Sequence, residues 1–442
     1  MINDLTAARE QMELSLSFHI VFAVLGVGMP WLMLFAEWRG LRSGDPRWTA
    51  LARRWSKAVA VLFGVGAVSG TVLSIEFGLL WPRFMAAFGA AIGLSFTLES
   101  FAFFIEAIFL ALYLYGWERL SPRAHLLTAV PVAVAGMASA LFVTTANAWM
   151  NGPVGLVRGP AGALLPSQPF GPFLAPTAAA QLAHMGLAAL MCTGLAVAAV
   201  YATAMLRNPA KGDGYHRRGL AAGAVLGLTT APLQVLVGDW AARVVAGAQP
   251  AKFAAMESLP RTVHGAPLHV GPVEIPRALS LLLYLDPNAE VVGMDAIAPA
   301  DRPPIAVVHG AFQLMVGSGT ALVGLALWAL WLWLRHRRGG PEPTAGRGFL
   351  LAMAVAGPAP FVALLAGWVV TEVGRQPWIV YRVMRVPDAL TTQTGLASYL
   401  YITSVVYLVL AVALVAILRR IALGGTPADP PPALAAQRTV SA

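Results

Sequence analysis

Nine long apolar runs constrain this chain more than any other feature. A helix needs about 20 apolar residues to cross a hydrocarbon core of about 30 Å. The 442 residues are 58% hydrophobic and 12% charged, whereas soluble chains carry about 25% charged residues. The sequence therefore predicts an all-α fold, a polytopic membrane protein with about nine transmembrane helices in a single domain, residues 1–422. The predicted spans are 14–37, 55–80, 92–117, 126–149, 179–206, 219–240, 304–334, 349–372 and 395–418.

The distribution of Lys and Arg predicts the orientation of these spans. Nineteen of the 30 Lys and Arg residues fall in the connections after spans one, three, five and seven and in the C-terminal tail. Because cytoplasmic loops are enriched in these residues, the N-terminus is predicted outside and the C-terminus inside. The net charge of +9 is thereby mostly a topology signal, and no nucleic-acid partner is expected. The Pro- and Ala-rich segment 423–442 is predicted to be a disordered cytoplasmic tail.

One outer connection, residues 241–302, is much longer than the others. Loops of this length are usually functional or disordered. This loop carries Lys252 and Glu257 among short apolar stretches, which favours a segment that folds onto the membrane surface.

Several polar side chains interrupt the apolar runs. Charge at membrane depth is costly and usually marks a cofactor, ion or proton site, and His and Met are common axial ligands of heme iron. At about 1.5 Å per residue, the candidate ligands cluster in the outer half of the membrane, and Glu106 lies deeper than the other candidates. The candidates are His19, Glu99, Glu106, His184, Met315 and Glu372.

Each of these residues also has a simpler interpretation. A lone His in an apolar helix more often bonds a carbonyl group than a metal, and Met315 alone is more often a packing residue. Asn147 either satisfies a helix break or faces a cofactor, and Glu76 and His309 are interpreted as structural. The shared depth of the set is what favours a redox site.

Glu99 and Glu106 are the candidate catalytic residues for proton transfer. They are seven residues apart, so they share one helix face and differ in depth by about 10 Å. Buried carboxyl groups at such spacing suit a proton relay.

The eighth span ends in an unusual segment, residues 367–378, with the sequence GWVVTEVGRQPW. It places Glu372, Arg375 and Trp378 together at a helix end. Further motifs are Phe18-His19, LESFAFFIEAI at 98–108, ANAWM at 146–150, Ala183-His184, MVG at 315–317, and Gly238-Asp239 ahead of Lys252 and Glu257. In these motifs and their order the chain resembles subunit I of the cytochrome bd family of quinol oxidases, from about Arg9 through span nine.

The resemblance implies a set of heme and quinol residues. His184 and Met315 look like the axial pair of a low-spin heme b. His19 and Glu372 look like ligands of two further hemes, a high-spin heme b and a heme d or third heme b, and which residue binds which heme stays open. Asn147, Arg375 and Trp378 would also contact cofactor. Lys252 and Glu257 match a quinol-binding pair, which would make 241–302 a periplasmic quinol-binding loop.

The implied function is that of a terminal respiratory oxidase. Such a subunit would oxidise ubiquinol or menaquinol at the periplasmic side, reduce O2 to water, and generate membrane potential by taking protons from the cytoplasm. It would lie in the bacterial cytoplasmic membrane among lipids, with subunit II and with room for a small single-span subunit. The chain departs from many family members at Gln313, where they carry Arg, and this puts heme d in doubt.

Two other functions compete with this interpretation. A proton-coupled transporter would explain the intramembrane acids, but it leaves His184 and Met315 unexplained. A b-type cytochrome subunit that only passes electrons would use the same ligands without an oxygen site.

Overall fold

The computed structural model describes residues 4–159, 164–209, 214–270 and 273–424. Within these residues, nine helices are long and apolar enough to cross a membrane, and the chain is an all-α polytopic membrane protein as predicted. The helices are α1 (Asp4–Ser43), α2 (Pro46–Leu80), α3 (Pro82–Gly116), α4 (Pro122–Asn151), α5 (Gly171–Leu174), α6 (Ala178–Arg207), α7 (Gly214–Ala248), α8 (Pro250–Met256), α9 (Ala278–Tyr284), α10 (Ile305–Arg337), α11 (Arg347–Ala356), α12 (Ala359–Val373), α13 (Val386–Ala389) and α14 (Leu396–Leu423).

Most spanning helices begin earlier than the apolar runs that predicted them. Helices α2, α3 and α4 start with a proline in the first turn, where its missing N–H costs no hydrogen bond. Asp45 caps α2 by accepting a hydrogen bond from the backbone N–H of Arg47 at 3.0 Å. Hydropathy reports only the part of a helix inside hydrocarbon, so the capped polar ends were missed.

The eighth predicted span is broken, where the sequence suggested one continuous helix. It consists of α11 and α12, separated at Gly357 and Pro358. Proline cannot donate the i to i−4 hydrogen bond and clashes with the preceding turn. The break brings the backbone against α6, because a Cβ at Gly357 would lie 2.6 Å from the Cβ of Ala199.

Contacts between helix ends agree with the alternating topology. The carboxyl group of Asp4 accepts from the backbone N–H of Leu396 at 2.9 Å, so the starts of α1 and α14 lie together. At the opposite end, Arg54 donates to the carbonyl oxygen of Gly424 at 2.7 Å. We refer to the end that holds the start of α1 as the outer end and to the other as the inner end, following the predicted orientation.

The apolar core is divided by depth. The largest cluster fills the inner half between α1, α2, α4, α6 and α7, and a second lies at the outer end around the first turns of α3. Helices α6 and α7 approach closely, since a Cβ at Gly194 would lie 2.3 Å from the backbone nitrogen of Gly227. Helices α10 and α14 instead expose large apolar side chains along much of their length.

In the described part of the chain, eight short strands form four two-stranded antiparallel pairs at the outer end. They pair as β1 with β2, β3 with β6, β4 with β5, and β7 with β8. Their bounds are β1 (Leu156–Arg158), β2 (Leu164–Pro166), β3 (Val263–His264), β4 (Leu268–Val270), β5 (Val273–Ile275), β6 (Glu290–Val291), β7 (Trp378–Val380) and β8 (Met384–Arg385).

The long outer connection folds as a compact layer. Helix α7 continues to Ala248, so the non-spanning segment begins later than residue 241. The layer contains α8, α9 and β3 to β6, and its apolar core includes Val308 of α10 and Val370 of α12. His309 also bonds the carbonyl oxygen of Met256 through Nδ1 at 2.7 Å, a structural contact. Most of the predicted disordered tail, residues 425–442, lies outside the described residues.

Candidate functional site

His19 lies on α1 and its imidazole packs against α2. Its Nδ1 is 2.9 Å from the Ser69 hydroxyl oxygen, and that hydroxyl is 2.8 Å from the carbonyl oxygen of Val65. Because a hydroxyl has one proton, donation to Val65 leaves the Ser69 oxygen to accept from an Nδ1–H of His19. This arrangement leaves Nε2 of His19 unprotonated, the state in which imidazole binds a metal.

His184 and Met315 lie on different helices but flank the same stretch of α7. The ring of His184 borders Gly238 of α7, where a Cβ would lie 3.3 Å from Cε1, and a Cβ at Gly319 of α10 would lie 3.9 Å from Val235 of α7. Met315 is one turn from Gly319, and Val235 is one turn from Gly238, so the two predicted ligands are at a similar depth. The Nδ1 of His184 is buried and makes no hydrogen bond to the described residues.

Glu372 and Arg375 form a partly buried ion pair at the outer end of α12. The Arg375 Nη2 donates to Glu372 Oε2 at 2.5 Å, and Asn147 of α4 donates to the other carboxylate oxygen. Arg375 is only 4% exposed, yet its Nε and Nη1 make no hydrogen bond to described residues. Unused donors on a buried guanidinium are costly without a second acceptor. The Nε and Nη1 of Arg375 therefore suit a second, anionic partner.

Trp378 lies beyond this ion pair, in β7. The Arg385 guanidinium lies over the Trp378 ring, 4.5 Å from the ring centroid. The backbone N–H of Trp378 donates to the carbonyl oxygen of Arg375 at 3.0 Å. The described contacts therefore place Trp378 in the outer hairpin next to the ion pair.

A chain of hydrogen bonds joins the outer loop to Glu372. Lys252 of α8 donates from Nζ to Asn151 Oδ1 at 2.6 Å and to the carbonyl oxygen of Thr371 at 2.9 Å. Asn151 donates to Asn147 Oδ1 at 2.8 Å, and Asn147 donates to Glu372. Lys252 thus contacts the helix of a predicted heme ligand and forms no ion pair with Glu257 in the described structure.

The two loop residues differ in their electrostatics. Burial lowers the pKa of Lys252 well below its usual value, with Arg375 lowering it further and Glu372 opposing the shift. Burial alone raises the pKa of Glu257 to about 7. Glu257 caps the C-terminus of α8, and its carboxyl group makes no hydrogen bond to the described residues. A carboxyl group that titrates near neutrality suits proton exchange.

Glu99 and Glu106 lie on α3, as predicted, but do not contact one another. Glu106 is 7% exposed and packs on α4, where a Cβ at Gly136 would lie 3.1 Å from its Oε1. Glu99 is half-buried. One turn towards the outer end, Ser95 and Thr145 share a buried hydroxyl–hydroxyl hydrogen bond of 2.7 Å.

The donor set fits heme better than a metal ion bound by protein alone. No group of three or more His, Cys, Asp or Glu side chains suitable for a metal occurs among the described residues. A heme iron needs only one or two protein ligands, because the porphyrin supplies four nitrogens. Isolated His19, His184 and Met315, with the unused donors of Arg375 to meet a propionate, match that requirement.

Sequence reasoning missed three residues of this region. Ser69 orients His19, and Asn151 links Lys252 to Asn147. Gln249 precedes α8 and is fully buried, with both amide atoms lacking a hydrogen bond to described residues. Asn151 could have been found, since it lies four residues after Asn147 on the same helix face. The partner of Ser69 is 50 residues away in the chain, beyond any local pattern.

Comparison with known proteins places this chain in a family. The family model for cytochrome bd terminal oxidase subunit I matches residues 7–426. A Bacillus subtilis (strain 168) protein, provisionally named a cytochrome bd menaquinol oxidase subunit I, is 33% identical over 94% of this chain and 96% of its own. Another protein of that strain, cytochrome bd ubiquinol oxidase subunit 1, is 27% identical over 94% of this chain and 92% of its own.

A solved structure agrees with the sequence relatives. A chain of the bd oxidase from Geobacillus thermodenitrificans superimposes with a TM-score of 0.88 and 34% identity, covering 95% of this chain and 98% of that one. Fold and relatives together define a membrane oxidoreductase of the terminal-oxidase class, a family that implies heme cofactors. The chain belongs to the cytochrome bd terminal oxidase subunit I family.

The first prediction concerns the contact between Lys252 and the outer ends of α4 and α12. Lys252→Met keeps the apolar stem but removes both hydrogen bonds of Nζ, each worth about 1 kcal/mol. We expect backbone amides of α8 to exchange with deuterium about 30-fold faster, the factor that corresponds to about 2 kcal/mol, as measured by mass spectrometry of the purified oxidase. Lys57→Met, at an exposed position of α2, is the matched control. Equal exchange of α8 in both variants would show that Lys252 does not anchor the loop.

Proposed function

We propose that this chain oxidises a quinol at the outer membrane surface and supports the reduction of O2 to water by heme near the outer ends of the helices. Relatives named as menaquinol and ubiquinol oxidases support the quinol substrate and leave the quinone type open. The observation that carries the proposal is the buried chain of hydrogen bonds from Lys252 to Glu372. It connects a loop facing the outer surface directly to a predicted iron ligand.

Three hemes would be held by the residues identified above. His184 and Met315 would be the axial pair of a low-spin heme b, while His19 and Glu372 would bind a high-spin heme b and a heme d or third heme b. Bound heme supplies the one-electron steps and the oxygen-binding iron. Arg375 would use its free donors for a propionate, and Asn147 would hold Glu372 in the orientation for ligation.

Quinol oxidation requires an acceptor for the quinol protons. Glu257 can accept one when its carboxyl group is ionised, and its position in the outer loop allows release to the outside. Two N–H donors of Lys252 are already used, but its protonated form has a third that could bond a quinol oxygen. The lowered pKa of Lys252 would let a proton arrive and leave during turnover.

Protons for water formation would come from the inner side through Glu106 and Glu99. Because the predicted heme ligands lie near the outer end, these protons would cross most of the membrane and generate potential. In the bacterial cytoplasmic membrane, the chain would act among lipids with subunit II and with room for a small single-span subunit.

Spectroscopy of the purified oxidase tests the proposal. Reduced-minus-oxidised spectra should show heme bands, carbon monoxide should shift part of them, and added quinol should drive O2 consumption. Absence of heme bands would contradict the proposal and favour a proton-coupled transporter. Heme bands without a carbon monoxide shift would instead favour a subunit that only passes electrons.

The second prediction assigns the low-spin heme. His184→Ala and Met315→Leu each remove one of its two axial ligands while leaving an apolar helix intact, so each should abolish the low-spin band of the reduced spectrum. The heme at the oxygen site has other proposed ligands, so carbon monoxide binding to it should persist in both variants. Met137→Leu is the matched control. Met137 lies on α4 and packs beside Gly186 of α6, the helix that carries His184. A normal low-spin band in both ligand variants would exclude this pairing.

The third prediction is the pH dependence of quinol oxidation. With a pKa of about 7, Glu257 is mostly protonated below that pH and mostly ionised above it. Only the carboxylate accepts a proton, so the rate should rise as pH increases through 7. Glu257→Gln should reduce the rate about 100-fold, within the range for loss of a general base, and remove the rise.

The matched control for that profile is Glu274→Gln, an exposed glutamate of the same loop. It should retain the wild-type rate and pH profile. O2 consumption with quinol across pH 5.5 to 8.5 measures all three proteins, and an unchanged profile in Glu257→Gln would exclude Glu257 as the acceptor.

A further inference from the structure

A second buried titratable cluster lies at the inner end, remote from the predicted heme ligands. Glu37 of α1 and His125 of α4 approach within 2.7 Å, between Oε1 and Nδ1. The other ring nitrogen of His125 is 2.9 Å from the carbonyl oxygen of Tyr113, near the end of α3. Because that carbonyl can only accept, Nε2 carries a proton. The side chains of Glu37 and His125 are 4% and 3% exposed.

Aromatic rings separate this pair from the inner surface. The His125 ring lies 4.4 Å from the Tyr113 ring and 4.0 Å from the Trp117 ring, measured between centroids. The Arg53 guanidinium covers Trp117 at 4.6 Å, and Arg53 itself is exposed. One indole ring therefore stands between the pair and the basic inner surface.

The cluster contains polar atoms that its own contacts do not satisfy. Glu37 Oε2 and the Tyr113 hydroxyl are both buried without a well-formed hydrogen bond to described residues, and the hydroxyl lies close enough to the Glu37 carboxyl group for a side-chain interaction. Burial of polar groups whose hydrogen bonds are incomplete is costly. A pair that served only packing would not need these oxygens, whereas a carboxyl group that exchanges protons needs an oxygen available to accept one.

The cluster is aligned with Glu106. Tyr113 follows Glu106 by seven residues on α3, so both lie on one face, about 10 Å apart along the axis. On α4, His125 precedes Gly136, which contacts Glu106, by eleven residues, or about three turns. Glu106 and the cluster therefore share the interface between α3 and α4.

The interval between them is apolar and tightly packed. Ala129, Val132 and Ala133 of α4 fill it and are fully buried. No described side chain there could carry a proton, so transfer across this interval requires water that enters transiently. Two of these three residues are alanines, so entering water would have to displace few side-chain atoms.

We propose that Glu37, His125 and Tyr113 form the site where a proton from the inner aqueous phase is loaded before transfer to Glu106. This inference rests on the proposed function. A proton from inner water binds the Glu37 carboxylate, and His125 stabilises the negative charge before that event. The Tyr113 oxygen then accepts this proton while the hydroxyl releases its own towards Glu106, which restores both groups.

The fourth prediction tests this site with the complete oxidase in proteoliposomes. Fully reduced enzyme reacts with O2 after flash release of carbon monoxide, so the quinol site is not needed, and the voltage phase is recorded. Tyr113→Phe and Glu37→Gln should slow that phase about tenfold or more, with unchanged heme content and spectra. Tyr113→Phe removes one hydroxyl and keeps the packed ring, so it should fold normally even where Glu37→Gln does not.

Glu118→Gln is the matched control, an exposed carboxylate in the turn after α3, and should match the wild type. Infrared difference spectra provide a readout independent of rate: a carboxyl band that changes on reduction should disappear in Glu37→Gln. A slowed phase in Glu106→Gln with a wild-type phase in Tyr113→Phe and Glu37→Gln would overturn the loading site alone. A wild-type phase in Glu106→Gln, or none in the wild type, would overturn the proposed proton route and this inference together.

Discussion

The cost of placing polar groups in hydrocarbon governs this structure. It forces the backbone into helices that satisfy their own hydrogen bonds, and it confines charged side chains to places where a partner meets them. Arg375 illustrates the constraint, because a guanidinium only 4% exposed is held by a single carboxylate in the described residues. At the outer end, polar side chains from α4, α8 and α12 reduce this cost by forming hydrogen bonds with one another.

The same constraint explains what could be predicted from sequence. The apolar runs gave the spanning helices, and Glu372 stood out as a charged residue at the end of one of them, since such residues rarely occur there without a role. Arg375 and Lys252 lie outside the predicted spans, and their roles followed from the family resemblance. The hydrogen-bond chain that joins them was not predicted, although Asn151 lies one helical turn from Asn147, because no local pattern brings Lys252 of the outer loop to Asn151, 101 residues away. The break at Pro358 was also missed, although proline offered a local signal, because hydropathy alone was used to define that span.

The link between Lys252 and Glu372 changes how the outer loop should be understood. A loop that only bound quinol could vary its position without affecting the helices beneath it. Here the amine of Lys252 bonds a carbonyl on α12 one residue before Glu372, and an asparagine pair continues the contact to the carboxylate. Quinol binding or protonation at Lys252 would therefore change the hydrogen bonding of the Glu372 carboxylate through a path of four side chains. No movement of a whole helix would be needed.

The two ends of the bundle differ in a way that follows from their predicted tasks. At the outer end, Lys252, Asn151, Asn147 and Glu372 bond one another in sequence, and Arg375 keeps unused donors that would meet a cofactor. At the inner end, the Glu37–His125–Tyr113 cluster is separated from Glu106 by an apolar interval of about 10 Å. In the proposed reaction, electrons would enter from the outer loop without crossing that interval, whereas protons drawn from inside would have to cross it. This separation of electron entry from proton entry, rather than any moving pump element, would make the reaction electrogenic.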